Sequence, residues 1–404
     1  MDNLENITCN EEQYITEEDV KAIITKCGYA SEGTTIENYA VHYASDKMIG
    51  FLSDYLKLHI SVTSNHERKL LNFFVKAMCK TNAGKANMVK EMGLFEKEVT
   101  FYDIIKRNMA VPGKIYNLLH EKFDKHHTYQ ALQSLARFHA STIIFEELKT
   151  IELHRPYRIN EQYEEHLDRG GYVETDPWFV QCKTGALEAV KAFSKYIQNK
   201  DAMKLIDERW SAVFNSALSL CDASSEHRNV ICHRDLWNNN ILFHFKRLED
   251  NSVEPDDCVF VDFAAVRAMP PAGDVMQILH CNLSPKYRID NLDTFLNYYY
   301  DELKAILGDN NVEIQDIMTR DKFMLSAKQQ DLWGHVSHAC LVQAFWLDDE
   351  KMMTIFGDSA KFAEIMTNDK ATYIKNMMQN DDDYKKTVMD VFEEFIEHYI
   401  LNDH

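Results

Sequence analysis

The sequence predicts an α+β protein with a small, β-rich amino-terminal lobe over residues 1–125 and a larger, mainly helical lobe over residues 126–404. Apolar and polar residues alternate over residues 37–63, as in half-buried strands. Past residue 128 the apolar spacing is helical, and only the short β-like runs of residues 229–262 interrupt it. No stretch rich in Pro, Gly and Ser separates the two parts, which favours one compact two-lobed body over domains on a linker.

Helices are expected near both ends of the chain and within the first lobe. Thr16 precedes a periodic apolar run, so it is placed to cap a helix over residues 16–28. A second helix is expected over about residues 86–108, and residues 373–399 have the spacing of an amphipathic terminal helix. Within that last segment, Asp381–Asp383 has the composition of a solvent-exposed helix start.

The interrupting segment predicts a β-hairpin. Residues 241–245 and 257–262 are short apolar runs, and residues 246–256 between them are polar and rich in turn formers. A hairpin returns the chain to the end from which it started, so the residues that flank its two strands come together. Asn240 and Asp262 occupy those flanking positions.

Asp235, Asn240 and Asp262 form a pattern with a definite chemistry. His233 begins the motif His-x-Asp-x-x-x-x-Asn, and an apolar strand ending in Asp-Phe follows it. In phosphoryl transfer from ATP, Asp235 would orient the acceptor hydroxyl and take its proton, while Asn240 and Asp262 would hold Mg²⁺ on the phosphates. His233 is expected to support the loop. The alternative, a chance His-x-Asp in a surface loop, is disfavoured by the Asn at the required offset.

Two residues of the first lobe are candidates for binding the nucleotide. Lys76 ends Leu71–Val75, an aromatic and β-branched run typical of a buried strand, where a lysine needs a partner. Glu98 lies among apolar residues at helical spacing. A Lys–Glu pair would aim the ammonium group at the phosphates. The alternative is a surface lysine and a solvated glutamate, the commonest environment of each residue type.

The chain resembles the ecdysteroid kinase-like family, a branch of small-molecule kinases (CHK kinase-like) centred on insects and related to choline kinases and aminoglycoside phosphotransferases. The family motif Cys-His-Gly-Asp-Leu-Trp-x-Asn-Asn stands here as Cys-His-Arg-Asp-Leu-Trp-Asn-Asn-Asn over residues 232–240. Trp237 and the pair Asn239-Asn240 favour this branch over protein kinases, which usually have Lys-Pro after the Leu. Other similar segments are Phe73–Lys76, Phe95–Tyr102, Leu135–Ala140 and Asp274 after Pro270–Gly273.

This resemblance implies a protein-kinase-like bilobal fold, ATP and Mg²⁺ as cofactors, and a small-molecule hydroxyl as the phosphate acceptor. An ecdysteroid or a related polyhydroxylated compound is the acceptor class that the family implies. Lys76, paired with Glu98, would then position the nucleotide phosphates, and Gly50 would lie in the loop that covers them. A protein kinase is disfavoured, because the chain runs from Arg267 almost directly to Asp274 and leaves little room for an activation segment.

The chain departs from the family pattern in several places. The candidate phosphate-covering loop, residues 45–54, holds one glycine. Residues 117–128 are too few for two strands and a connection, since one strand takes about 5–6 residues. This short hinge leaves open a second hypothesis, a pseudokinase that binds nucleotide or ligand without transferring phosphate. Ala264 stands where the family tends to have Gln. Arg234 replaces the family's Gly, and a salt bridge within the larger lobe is its expected role.

Composition restricts the partners and the compartment. The formal charge of −20 disfavours nucleic acid and anionic membrane surfaces, since both bind basic protein surfaces. The 9 cysteines have no Cys-x-x-Cys spacing, and the first residues lack a signal-peptide pattern. No apolar run approaches about 18 residues, so no transmembrane helix is expected. A reduced, cytoplasmic protein with free thiols is therefore predicted, with its oligomeric state open.

One further cluster of possible metal ligands lies near residue 335. His335 and His338 share a helix face, but Cys340 is off it and no acid is evident to complete the set. A buried or half-buried helix is therefore the prediction for this segment. Trp333 is expected in the core, with the wall of an acceptor pocket as the alternative.

Overall fold

The structure is a computed structural model that describes residues 14–29, 34–44, 52–64, 67–80, 82–104, 117–118, 122–164, 167, 170–345, 355 and 357–402. The helices are α1 (Glu17–Lys26), α2 (Ala83–Glu91), α3 (Leu94–Ile104), α4 (Lys125–Leu153), α5 (Ile159–Gln162), α6 (Pro177–Phe193), α7 (Lys200–Ser216), α8 (Ala272–Asn282), α9 (Pro285–Asp309), α10 (Ile314–Ile317), α11 (Arg320–Phe345), α12 (Ser359–Ala363), α13 (Lys370–Asn380) and α14 (Asp382–Tyr399). The strands are β1 (Thr35–Tyr43), β2 (Ser53–Ser64), β3 (Glu67–Met78), β4 (Asn117–Leu118), β5 (Val230–Cys232), β6 (Ile241–Arg247), β7 (Val253–Phe260) and β8 (Arg267–Met269).

The chain is α+β and mainly helical, as predicted, and it forms two compact units. One unit comprises residues 1–91 with 348–363, and the other comprises residues 92–347 with 364–404. The functional division near residue 125 stays a prediction.

The first unit is built on an antiparallel meander with the order β1-β2-β3. Strand β2 is central, and its alternate side chains from Leu56 to Val62 are fully buried. They form one apolar cluster with Val20 and Ile24 of α1, because strand residues two apart point to the same face. The sheet predicted over residues 37–63 is confirmed, and β3 extends it.

Two of the predicted helix starts are confirmed at their caps. Thr16 Oγ1 accepts a hydrogen bond from Asp19 N at 3.2 Å, and Asp19 Oδ2 accepts one from Thr16 N at 2.8 Å. This reciprocal pair satisfies two amide groups that the first helical turn leaves without partners. Asp381 caps α14 by accepting from Tyr384 N at 2.9 Å.

Two long helices were predicted wrongly as continuous. The expected helix over residues 86–108 is interrupted between α2 and α3, where Gly93 has a φ of +61°. That left-handed conformation costs glycine little and ends a helix. The expected helix over residues 373–399 is likewise divided at Asp381, whose extended backbone caps α14.

The second unit contains the predicted hairpin and a helical core around α8. Strands β6 and β7 pair antiparallel with Ile241 opposite Phe260, and β4 adds to β6. Both strands are longer than predicted. Every residue of α8 is buried, and Trp333 of α11 is fully buried in the same core, as expected. None of the described helices is long and apolar enough to cross a membrane.

Candidate active site

Helix α8 holds the loop that follows β5 by its backbone. Asp274, which is completely buried in the first turn of α8, accepts from His233 N at 2.6 Å and from Arg234 N at 2.9 Å. His139 Nε2 lies 3.2 Å from the same carboxylate, and Tyr299 Oη lies 2.7 Å from His139 Nδ1. A buried carboxylate is stable only with such donors. The family-like acid Asp274 therefore orients the loop.

Two side-chain amides further along α8 also bind the backbone of this loop. Gln277 Oε1 accepts from Leu236 N at 2.9 Å, and Gln277 Nε2 donates to Arg234 O at 3.0 Å. Asn282 Nδ2 donates to Leu236 O at 3.0 Å. Sequence reasoning missed Gln277 and Asn282. Their one signal is that they are uncharged polar residues in a mainly apolar helix, where each buried amide needs a partner.

His233 connects the loop that carries Asp235 to the end of the hairpin that precedes Asp262. Its Nε2–H donates to Val261 O at 2.9 Å, and its Nδ1 accepts from Asp235 N at 3.3 Å. Burial lowers the pKa of His233 below its ordinary value, against the opposing effect of Asp274. The imidazole is therefore neutral with its proton on Nε2, and it supports the loop as expected from the sequence.

Asp235 and Asn240 are joined directly. Asn240 Nδ2 donates to Asp235 Oδ2 at 2.7 Å and to Asp235 O at 2.9 Å. Asp235 is half-buried and Asn240 is buried. Because both bonds use the amide nitrogen, the amide oxygen of Asn240 remains as an acceptor for a cation.

The hairpin brings Asp262 beside this pair. Val261 N donates to Asn240 O at 3.0 Å, so the backbones of the two predicted metal ligands are adjacent. Asp262 has a φ of +64°, a left-handed conformation that Asp and Asn tolerate better than most residues. Carboxylate and amide oxygens are the ligands that Mg²⁺ prefers. The residues present therefore fit a magnesium ion.

Phe263 links Asp262 to α3 through aromatic contacts. Its ring stacks on Phe101 at 4.3 Å between centroids and meets Phe138 at 5.6 Å. The adjacent Tyr102 is 6.0 Å away. Such contacts contribute about 0.5–1.5 kcal/mol each beyond their buried area. They fix the segment after Asp262 against two helices.

Glu98 lies on the same face of α3 as this cluster. The pKa of Tyr102 is raised first by burial and then by the negative charges of Glu98 and Asp262, with a hydrogen bond to Glu98 as a further cause. Glu98 is itself buried. Tyr102 thus lies within electrostatic reach of both predicted site carboxylates, a connection that the sequence did not indicate.

Lys76, another predicted nucleotide-binding residue, lies in the first unit. Lys76 is half-buried on β3 opposite Tyr55, with its Nζ 6.0 Å from the ring centroid of Tyr55. The pairing of Lys76 with Glu98 stays a prediction, and Gly50 lies outside the described residues. Of the hinge segment, residues 117–118 form β4 and α4 begins at Lys125, so the described part of this connection is short.

Arg234 occupies a backbone position suited to the family's glycine. Its φ is +66°, and its guanidinium is nearly fully buried. Nη2 donates to Gly170 O at 2.9 Å, and the guanidinium carbon lies 5.3 Å from the ring centroid of Tyr172. These contacts offset the strain of a left-handed conformation, which costs about 1–2 kcal/mol for a residue with a Cβ. The predicted salt bridge of Arg234 stays a prediction.

This strain can be measured with a matched pair of variants. Arg234→Gly and Arg234→Ala lose the same guanidinium contacts, but only the glycine removes the strain. We expect Arg234→Gly to be more stable than Arg234→Ala by about 1 kcal/mol in urea unfolding. An unstrained site would give the opposite order, because glycine lowers stability through the entropy of the unfolded chain.

The chain is similar in sequence to one protein family and to one curated protein. Residues 115–312, which contain the loop, the hairpin and α8, match the model of the ecdysteroid kinase-like family. The chain is also 26% identical over 267 residues to an uncharacterized kinase-like protein of Caenorhabditis elegans, a match that covers 57% of this chain and 62% of that protein. The match therefore spans about three fifths of the relative's length.

Proposed function

Residues 115–312 belong to the ecdysteroid kinase-like family, and on this premise we propose that the protein is an ATP-dependent phosphotransferase that acts on a small-molecule hydroxyl. The observation that carries the proposal is the joined pair Asp235 and Asn240, held beside Asp262 by the β6–β7 hairpin. The acceptor class that we propose is an ecdysteroid or a related polyhydroxylated compound, as the family implies.

In this proposal Asp235 orients the acceptor hydroxyl and takes its proton as the new ester forms. Asn240 positions the Asp235 carboxylate through its amide nitrogen. Asn240 and Asp262 would hold Mg²⁺, which supplies charge neutralisation at the phosphates. Little covalent chemistry is required of the protein, because positioning and electrostatics dominate phosphoryl transfer.

Lys76, Glu98 and Gly50 enter the proposal through the family resemblance. Lys76 would contact the phosphates with its ammonium group, Glu98 would orient it, and Gly50 would let backbone amides approach the phosphates. The proposed setting is the cytoplasm, and neither nucleic acid nor membrane is a proposed partner of this acidic chain.

A pseudokinase that binds ligand without transfer is the second candidate. The observation in its favour is the short hinge, in which α4 begins at Lys125, soon after β4. In small-molecule kinases the backbone of this segment binds adenine. The complete set Asp235, Asn240 and Asp262 favours the enzyme.

Magnesium-dependent ATP binding tests the proposal. We expect ATP with Mg²⁺ to raise the melting temperature of the full chain. A ligand at a concentration of 100 times its dissociation constant stabilises the folded state by about 2.7 kcal/mol. Asp262→Asn should abolish the magnesium-dependent part of the shift, since it removes the charge while tolerating the left-handed backbone. The proposal fails if the wild type shows no shift with ATP and Mg²⁺, or if Asp262→Asn shows the same shift.

A further inference from the structure

Three helices of the second unit bring together a partly buried group of imidazoles and a carboxylate, here called the histidine cluster. It consists of His280 on α8, Asp331 and His335 on α11, and His398 on α14. His280 Nε2 lies 3.0 Å from Asp331 Oδ1, and His335 Nε2 lies 3.5 Å from Asp331 Oδ2. His398 Nδ1 lies 3.3 Å from His335 Nε2. The acid that the sequence did not place beside His335 is Asp331, one helical turn earlier.

The packing leaves space for this cluster. A Cβ at Gly334 would lie 2.4 Å from His280 Cδ2. Only glycine allows the backbone of α11 to approach the imidazole so closely. His280 and His335 are both almost completely buried, and His280 Nδ1 has no hydrogen-bond partner among the described residues.

The charges at the cluster suit a cation. The Asp331 carboxylate lies between the two imidazoles, 3.0 Å from His280 Nε2 and 3.5 Å from His335 Nε2. The nearby Arg288 forms an ion pair with Glu394, which compensates its charge.

A surface pocket of about 560 Å³ borders the cluster at His398. Its wall includes His398 and Glu394, and Glu394 has a ligand atom within 4.8 Å of those of His335 and His398. The other acids in the wall are Asp290, Asp390, Glu393 and Glu397. Two lysines of the wall, Lys195 and Lys286, are paired with acids. An acidic lining of this kind concentrates cations.

We propose that His280, Asp331 and His335 bind a divalent transition-metal ion, with Zn²⁺ as the best fit. His280 Nε2 and His335 Nε2 lie 3.0 and 3.5 Å from the two different oxygens of the Asp331 carboxylate. One donor atom from each of the three residues lies within 4.8 Å of the other two, and the corresponding edge of a tetrahedron with bonds of 2.0–2.1 Å is about 3.3 Å. Imidazole ligands favour Zn²⁺ over Mg²⁺, which prefers oxygen. His398, whose Nδ1 lies 3.3 Å from His335 Nε2, borders this set on the side of the pocket.

Hydrogen bonding around the cluster supports an oriented ligand set. Tyr399 Oη donates to Asp331 Oδ2 at 2.5 Å. Carboxylates that bind a metal commonly accept such a hydrogen bond from a residue that does not itself touch the metal. The ion would tie α8 to α11. Because α8 also carries Asp274 and Gln277, the proposed role is to stabilise the helix that holds the catalytic loop.

The test uses the full chain after dialysis against EDTA, titrated with Zn²⁺ alone in the absence of ATP and Mg²⁺. We expect one equivalent to bind and to raise the melting temperature, and Co²⁺ in its place to give the intense visible absorption of a tetrahedral site. Asp331→Asn should lose both effects. His154→Asn is the matched control, since it removes an exposed imidazole at the end of α4 where Asn tolerates the left-handed backbone.

The proposal is overturned if excess Zn²⁺ leaves the wild-type melting temperature unchanged, or if Asp331→Asn binds Zn²⁺ as tightly as the wild type. If hydrogen bonds alone hold this polar cluster, excess Zn²⁺ leaves the wild-type melting temperature unchanged. Circular dichroism verifies that each variant is folded. Should Asp331→Asn not fold, His335→Gln replaces it, with at least about a tenfold loss of Zn²⁺ affinity expected. None of these measurements depends on phosphotransfer.

Discussion

Asp235→Asn is expected to lower the rate of phosphate transfer by about 10²- to 10⁴-fold, the contribution typical of a positioned proton acceptor. The replacement is nearly isosteric. An amide oxygen at this position can still accept from Asn240 Nδ2, which now lies 2.7 Å from Asp235 Oδ2. The hydrogen bond from residue 235 N to His233 is unaffected. The loss therefore reports proton acceptance and hydroxyl orientation, and ATP consumption in the presence of an acceptor measures it.

The controls for this variant separate chemistry from folding. Asp235→Asn should retain the magnesium-dependent ATP shift of the wild type, because Asn240 and Asp262 are intact. Asp256→Asn, a change in the hairpin at a carboxylate paired with His244, should leave the rate within a few-fold of wild type. A rate in Asp235→Asn close to that of the wild type would refute the role assigned to Asp235.

Asp274→Asn is expected to destabilise the second unit by about 3–5 kcal/mol, the cost of breaking a buried, hydrogen-bonded charge. The carboxylate now accepts from two backbone amides and lies 3.2 Å from His139 Nε2. An amide group would direct its own N–H at one of these donors and leave that donor unsatisfied. Urea unfolding measures the loss, and Asp250→Asn in the exposed hairpin turn should change stability by no more than about 0.5 kcal/mol.

Gln277→Met gives a second form of the same test. It leaves Leu236 N and Arg234 O without their partners, at about 1–3 kcal/mol for each buried group. The variant should fold yet lower the transfer rate, because the loop backbone is no longer held. If Asp274→Asn and Gln277→Met both unfold at the wild-type urea concentration, α8 does not hold the loop.

The part of the site that the sequence predicted is the part governed by local spacing. A contiguous motif from His233 to Asn240 fixes the relation of Asp235 to Asn240, and a hairpin of antiparallel strands dictates that Asp262 returns beside them. The cap at Thr16 was predictable for the same reason, since its partner Asp19 lies three residues away.

The part that was missed depends on contacts between distant segments. Gln277 and Asn282 bind backbone groups of the loop, so the identity of the loop's side chains does not indicate these two partners. His280 and Asp331 are 51 residues apart, and helix packing alone brings them together. The break at Gly93 was missed because apolar spacing continued on both sides, and a glycine in a left-handed conformation overrode it.

The most direct test of the central claim is detection of the phosphorylated acceptor itself. Wild-type protein and Asp235→Asn are incubated with ATP and Mg²⁺ against a panel of hydroxylated steroids and small alcohols, and products are identified by mass spectrometry. We predict that the wild type transfers one phosphate to at least one acceptor and that Asp235→Asn forms little or none. The account is contradicted if wild-type protein that binds ATP with Mg²⁺ phosphorylates no acceptor, or if Asp235→Asn forms product as fast as the wild type.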